Sequence, residues 1–282
     1  MIAKELYEKL NSDFILPELS DEWNEYMEPV ADYVCDNFRR RSMGLVCDFA
    51  TKIAKVYCAV FPEREVMQKI LDEGTEDALL FVHHPAIWDI REFPVFQPMD
   101  VDMLEQFKQR RVAIYNLHTP LDNFGEYSTS NALAKALGVK VTKPCVPYYG
   151  ALAGVIGTTE LPTIEELQKK FEEILGHESK LYKNGDSEIE NGIVMVVAGG
   201  GHDVFTLEEM KKENVKVLVT GITAKNNYSA PSHEFSKDHG FNVLGGTHYS
   251  TEAFACRAMC DYFEKLGLTS EFVPGRPVME DM

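Results

Sequence analysis

The spacing of apolar positions changes character about a fifth of the way along the chain. Up to about residue 40, Leu6, Leu10 and Ile15 fall on one side of a 3.6-residue period and are followed by Trp23, Tyr26 and Tyr33, which predicts helices. From Lys55 onward, short continuous apolar runs alternate with amphipathic stretches. VYCAVF (56–61) precedes a predicted helix REVMQKILDEG (64–74), ALLFVHH (78–84) follows, and VAIYNLH (112–118) leads to a helix NALAKALG (131–138). The second half repeats this order. GALAGVIG (150–157) comes before a helix over LPTIEELQKKFEEILG (161–176), and an Asn/Gly/Asp turn cluster lies at 184–186. IVMVVAGGG (193–201), VKVLVTGI (215–222) and FNVLGG (241–246) read as strands, and STEAFACRAMCDYFEKLG (250–267) as the last long helix. Strands alternating with helices predict an α/β fold with largely parallel or mixed sheets flanked by helices.

The 282 residues suffice for one large domain or two ordinary ones, with roughly three quarters of the unfolded surface buried on folding. Pro and Gly concentrate in PCVPYYGALAG, which predicts a boundary near 145–150. The expected halves are 1–145, to which the helix 250–267 returns, and 146–282. No repeat at a solenoid period is visible.

Composition narrows the function classes. Lys plus Arg number 28 against 45 Asp plus Glu, a formal charge of −17, which argues against a nucleic-acid grip. The run KKENVK (211–216) is too short and mixed to change that. No apolar stretch reaches the length of about 20 residues that spans a bilayer, and MIAKELYEKL carries charges where a signal core would be apolar, so a cytoplasmic protein is expected. Six cysteines without a CxxC pair suggest neither a disulfide framework nor a thiolate zinc site, and Cys256 and Cys260, which share a helix face, read as small buried side chains.

The chemistry-bearing residues collect at predicted strand ends and helix starts. His83 and His84 close ALLFV, and Pro85 holds His84 in extended backbone. Successive strand positions point to opposite sides, so such a pair serves one ion poorly but can serve two; its ordinary reading is one packed and one exposed histidine. In YNLHTPLD (115–122) a strand ends at His118, and Thr119 with Pro120 starts a helix whose first turn contains Asp122, an arrangement that capping alone also explains. His248 and Glu252 in GGTHYSTE (245–252) are four apart on a helix capped by Thr247 or Ser250, a spacing shared with solvated surface pairs. Together, His83, His84, Asp122, His248 and Glu252 are too many donors for one tetrahedral ion and suit two divalent ions with a bridging carboxylate. Mixed nitrogen and oxygen donors favour zinc, iron, manganese or cobalt over magnesium or calcium.

The ordered set HHPAIW (83–88), HTPLD (118–122), AGGGHD (198–203), VTG (219–221) and GTHYSTE (246–252), with GVIGTTELPTIEELQKKF (154–171) between, resembles the NIF-three-like dinuclear metal-centre family, often labelled GTP cyclohydrolase I type 2 homologues. The resemblance runs from about Gly44 to Tyr262. It implies two α/β domains around a dinuclear metal site, often assembled as a hexameric toroid. By the same resemblance His83 and His84 bind one metal each, Asp122 completes the first, His248 the second, and Glu252 bridges them. His118 then stands beside the metals as an orienting neighbour or occasional ligand, and His233 in SHEF resembles a family histidine near the site. Ile222 stands where the VTG segment usually continues with an acidic residue, and AKNNYSA (224–230) adds residues before His233, departures that bear on substrate contacts. The short form, without the extra domain inserted in some relatives, is expected.

Two functions follow as expectations. The first is a metal-dependent hydrolase of a small phosphorylated or nucleotide-like substrate, with His118 or His202 moving the proton. The second is a non-catalytic metal-binding regulatory or scaffold hexamer. The cluster GGGHD lacks a Walker lysine and GxGxxG spacing and reads as a tight turn.

Overall fold

In a computed structural model describing every residue from Met1 to Met282, the chain opens with α1 (Ala3–Phe14), a 3-10 segment (Trp23–Tyr33) and α2 (Asp36–Arg41). There follow β1 (Gly44–Cys47), β2 (Lys55–Ala59), α3 (Arg64–Asp72), β3 (Ala78–Val82), α4 (Val101–Arg110), β4 (Val112–Asn116), α5 (Thr119–Asp122) and α6 (Thr129–Ala136). Next come β5 (Lys140–Tyr148), β6 (Ala151–Thr158), α7 (Ile164–Leu175), β7 (Lys180–Tyr182), β8 (Ile193–Val197), α8 (Val204–Lys212) and β9 (Val217–Thr220). The chain ends with α9 (Ala230–Asp238), β10 (Asn242–Gly245), α10 (His248–Lys265) and β11 (Thr269–Phe272).

Two units form. The first comprises Met1–Leu121, Tyr149–Ala151 and Cys256–Arg276; the second comprises Asp122–Tyr148, Leu152–Ala255 and Pro277–Met282. The chain therefore leaves the first unit after Leu121, ahead of the expected 145–150 boundary. The Pro/Gly-rich stretch instead covers the end of β5, a two-residue turn at Tyr149 and Gly150, and the start of β6. Gly150 is required there, because at φ +87° an added Cβ would meet the Glu18 carbonyl oxygen at 2.3 Å.

The first unit carries a five-stranded sheet in the order β1-β4-β3-β2-β11, parallel except where β1 pairs with β4. ALLFV of β3 is buried along its whole length, because helices cover both faces, as parallel strands require. Leu80, Val82 and Ile114 pack with Met67 and Ile70 of α3 and Phe107 of α4. On the other face Tyr115 stacks on Tyr7 of α1 at 6.0 Å, and Phe81 meets Phe263 of α10 at 5.6 Å.

The second unit carries a six-stranded sheet, β5-β6-β8-β9-β10-β7. It is parallel through β8, β9 and β10 and antiparallel where β6 meets β8 and β7 meets β10. The two-residue period of β8 divides its side chains. Val194 and Val196 pack under Leu167 and Phe171 of α7, while Met195 and Val197 pack under Leu207 and Met210 of α8.

The mixed α/β architecture expected from the alternating pattern is the one observed. β5 was not visible in that pattern because Pro144 and Pro147 break it, and such a strand survives only because it lies at the sheet's edge.

Candidate metal centre

In the first unit the site follows from strand register. β3 and β4 are parallel neighbours with Val82 opposite Asn116, so both chains leave the sheet at one level. Hydrogen bonds from Leu117 N–H to Val82 O (3.2 Å), His83 N–H to Ala59 O (3.2 Å) and His84 N–H to Val60 O (2.9 Å) carry the order past the strand ends. His83, His84 and His118 therefore emerge together at the carboxyl end of a parallel sheet, where α/β proteins form ligand crevices. Ring centroids are 4.4 Å apart for His83 and His84, 5.1 Å for His83 and His118, and 4.8 Å for His84 and His118. Each ring offers a nitrogen within 4.8 Å of the other two, and all three side chains are buried.

The expectation that adjacent histidines would face opposite ways does not hold here. Both lie beyond Val82, the last residue of β3, where pleat alternation no longer governs direction.

Neighbouring acceptors set the tautomers. His83 Nδ1 lies 2.9 Å from Leu117 O; a carbonyl only accepts, so Nδ1 carries the hydrogen and Nε2 the lone pair. His118 Nδ1 donates in the same way to Asp21 Oδ2 at 2.9 Å, which also accepts from Thr119 N–H (3.1 Å) and Thr119 Oγ1 (2.9 Å). Burial of Asp21 acts against its charge, but the neighbouring His118 and the Thr119 hydrogen bonds outweigh it and hold the carboxyl below its ordinary value. Trp23 closes edge-on against His84 (5.3 Å) and His118 (4.8 Å), and Phe61 stacks on His84 at 4.7 Å.

In the second unit the donors share one helix. Of the two candidate caps, Thr247 is the one used: its Oγ1 accepts from Ser250 N–H at 3.1 Å. Asp281, buried near the carboxyl end of the chain, accepts from His248 N–H at 2.9 Å. His248 Nε2 and Glu252 Oε1 are 3.1 Å apart with both side chains buried, unlike a solvated surface pair.

Glycine makes room for that carboxylate. Gly199 has φ +70°, and a Cβ there would lie 2.2 Å from Glu252 Oε1. Its N–H donates to Thr251 Oγ1 at 3.0 Å, and its carbonyl accepts from Gly221 N–H (3.0 Å) and Ile222 N–H (2.9 Å). The turn predicted for GGGHD is thus a close fit around Glu252.

Three further predicted residues have the following contacts. Asp122 is half-buried and accepts from Thr129 Oγ1 at 2.7 Å. His202 is buried against His233, ring centroids 4.6 Å apart, with Nε2 3.2 Å from Ser236 Oγ. Burial, then the nearby His233, pushes the His202 imidazole down to about 4, so it is neutral at physiological pH. His233 donates from Nε2 to Thr223 O at 3.1 Å and is itself shifted down by burial. All six cysteines are free thiols.

Sequence reasoning missed Asp21, Trp23, Gly199 as a space-maker, and Asp281. Asp21 and Asp281 stand in acidic, aperiodic stretches and carry no local signal. Gly199 was visible as a turn glycine, but its partner Glu252 lies 53 positions away.

The donor set fits a divalent ion on its chemistry. In the first unit, imidazoles whose Nδ1 is already engaged present Nε2 lone pairs; in the second, His248 and Glu252 pair a buried imidazole with a buried carboxylate. The fold and these donors define a class: a two-sheet mixed α/β protein in which each unit carries buried side chains of metal-ligand type, histidines in the first and a histidine–glutamate pair in the second. The profile of the Duf34/NIF3 (NGG1p interacting factor 3) family matches residues 32–274, and the chain belongs to that family. The resemblance drawn from HHPAIW, HTPLD and GTHYSTE is thereby borne out.

Relatives named GTP cyclohydrolase 1 type 2 homolog include one from Borreliella burgdorferi, 25% identical over 267 residues and covering 94% of each chain. Another, from Pyrococcus horikoshii, is 26% identical over 200 residues, covering 69% of this chain and 74% of its own. Among solved structures, protein ybgI, described as of unknown function, superposes with a TM-score of 0.75 at 20% identity, over 99% of this chain and 100% of its own. At that identity the likeness shows the fold.

Proposed function

We propose that the protein is a metal-dependent hydrolase of a small phosphorylated or nucleotide-like substrate, built on two divalent ions held by His83, His84, Asp122, His248 and Glu252. The observation that carries this reading is the buried trio of His83, His84 and His118, with ring nitrogens within 4.8 Å of one another. Surface histidines need no such convergence, and burying several imidazoles costs free energy unless they have partners.

When bound, the ions supply an activated water and an electrophilic contact for a phosphoryl or carbonyl oxygen. The chain's own residues supply position and proton transfer. Leu117 O and Asp21 fix the rings of His83 and His118 so that Nε2 is the donor atom. Gly199 and His248 confine the Glu252 carboxylate. His202, kept neutral by burial, offers an imidazole nitrogen to accept a proton; His118, an occasional ligand through Nε2, takes that role only when that nitrogen is not bound to an ion. Zinc, iron, manganese and cobalt suit these donors. The relatives' name suggests nucleotides as the first substrates to try. No helix is long and apolar enough to cross a membrane. A cytoplasmic homo-hexamer that does not bind nucleic acid completes the proposal.

One observation favours the second reading, a metal-binding scaffold. His83, His84, His248 and Glu252 are each at most 5% exposed, a depth that suits a closed coordination shell.

Elemental analysis of the purified protein beside His84→Ala and Glu252→Ala tests the metal assignment. Two equivalents in the parent and fewer in each variant are expected; full retention by both variants refutes it. A screen of phosphate esters, nucleotides and cyclic amides with each metal then decides between enzyme and scaffold. Turnover that survives removal of the metal would refute the hydrolase reading.

A further inference from the structure

We propose that Asp21 is a positioning residue for this centre: its carboxylate locks His118 as the Nδ1–H tautomer and so presents Nε2 to the cluster as a strengthened donor. The proposal rests on the metal-binding reading above.

Three donors converge on one oxygen of Asp21: His118 Nδ1–H (2.9 Å), Thr119 N–H (3.1 Å) and Thr119 Oγ1–H (2.9 Å). Its side chain is 4% exposed, so the acceptor is shielded from competing water. The segment that carries it is clamped on both sides. Ser20 N–H donates to Tyr149 O at 3.1 Å, and Leu19 is buried with Met43 and Ala151. On the other side Trp23 is buried and set edge-on to the His118 ring at 4.8 Å. Ring plane and tautomer of His118 are therefore fixed before any ion arrives.

His83 supplies an internal comparison. Its Nδ1 is held by the neutral carbonyl of Leu117, that of His118 by a carboxylate. A negative acceptor draws the Nδ1 proton and raises electron density at Nε2, so His118 is the better donor of the two.

The test uses full-length protein labelled with 15N-histidine, and cobalt(II) titrations followed by visible absorption. In the metal-free parent, both His83 and His118 should show the Nδ1–H pattern. In Asp21→Ala, the His118 signals should move toward a tautomer mixture while those of His83 stay, and cobalt affinity should fall about 100-fold. Asp21→Asn retains an uncharged acceptor and should fall about 10-fold, which covers the case in which Asp21→Ala folds poorly. Unmoved His118 signals in Asp21→Ala, or cobalt affinity equal to the parent's in both variants, overturns the proposal. A parent that takes up no cobalt would instead overturn the metal reading on which it rests.

Discussion

The two groups of candidate ligands are assembled by opposite means. In the first unit, His83, His84 and His118 come from two strands whose register delivers them to one level, and their rings are oriented by acceptors elsewhere in the chain. In the second unit, His248 and Glu252 lie one helical turn apart, and the problem is room for a buried carboxylate, solved by a glycine in the left-handed region. The first group depends on long-range order and the second on local order plus an absent side chain. The two should therefore fail differently when altered.

The largest effect is expected at Gly199. A branched side chain at φ +70° is strained, and its Cβ would occupy the space of Glu252 Oε1, so Gly199→Val should cost about 4 kcal/mol. Urea unfolding checks this. A loss under 1 kcal/mol would mean that the carboxylate has space to spare.

Protonation separates the units with opposite signs. In the second unit the folded protein holds His202 near 4, below its usual 6.5, so the unfolded chain binds the proton more readily between those values. Stability from this residue is full above about pH 6.5 and is lost as pH falls toward 4, by about 3 kcal/mol. In His202→Gln the acid-side slope of denaturant midpoints should flatten.

In the first unit Glu63 runs the other way. Burial raises its carboxyl to about 7; an Arg276 backbone hydrogen bond opposes the shift, and Glu65 adds to it. The folded state then binds the proton more tightly, so stability falls as pH rises from about 4.5 to 7. Because Glu63 is only partly buried, the loss should be nearer 1–2 kcal/mol. Glu63→Gln should remove that slope, and an unchanged pH profile would contradict it.

The smallest effect concerns helix starts. In the second unit Thr163 caps α7, accepting from Glu166 N–H at 3.3 Å and donating to Glu166 Oε2 at 3.0 Å. By contrast, α3 and α4 of the first unit begin without a side-chain cap. Thr163→Ala should cost about 1 kcal/mol. A change within error in thermal unfolding would show that tertiary packing alone holds α7.

What could be read beforehand divides along the same line. The period switch near Lys55 exposed the α/β alternation, and both His83–His84 and His248/Glu252 stood out because their chemistry is local in sequence. The partners that orient them did not stand out. Asp21 and His118 are 97 positions apart, and one aspartate among 45 acidic residues gives no sign that it is buried. Asp281 is hidden for the same reason. β7 and β11 were missed because three or four residues are too few to show a period.

The parallel register of β3 and β4 has a further consequence. Inserting or deleting one residue in β4 would turn Tyr115 and Ile114 to the wrong faces and carry His118 out of step with His84 in the same slip. Interior and donors are counted along a single ruler. A miscounted strand would therefore cost the packed interior and the alignment of the histidines together, so the fold cannot keep one while losing the other.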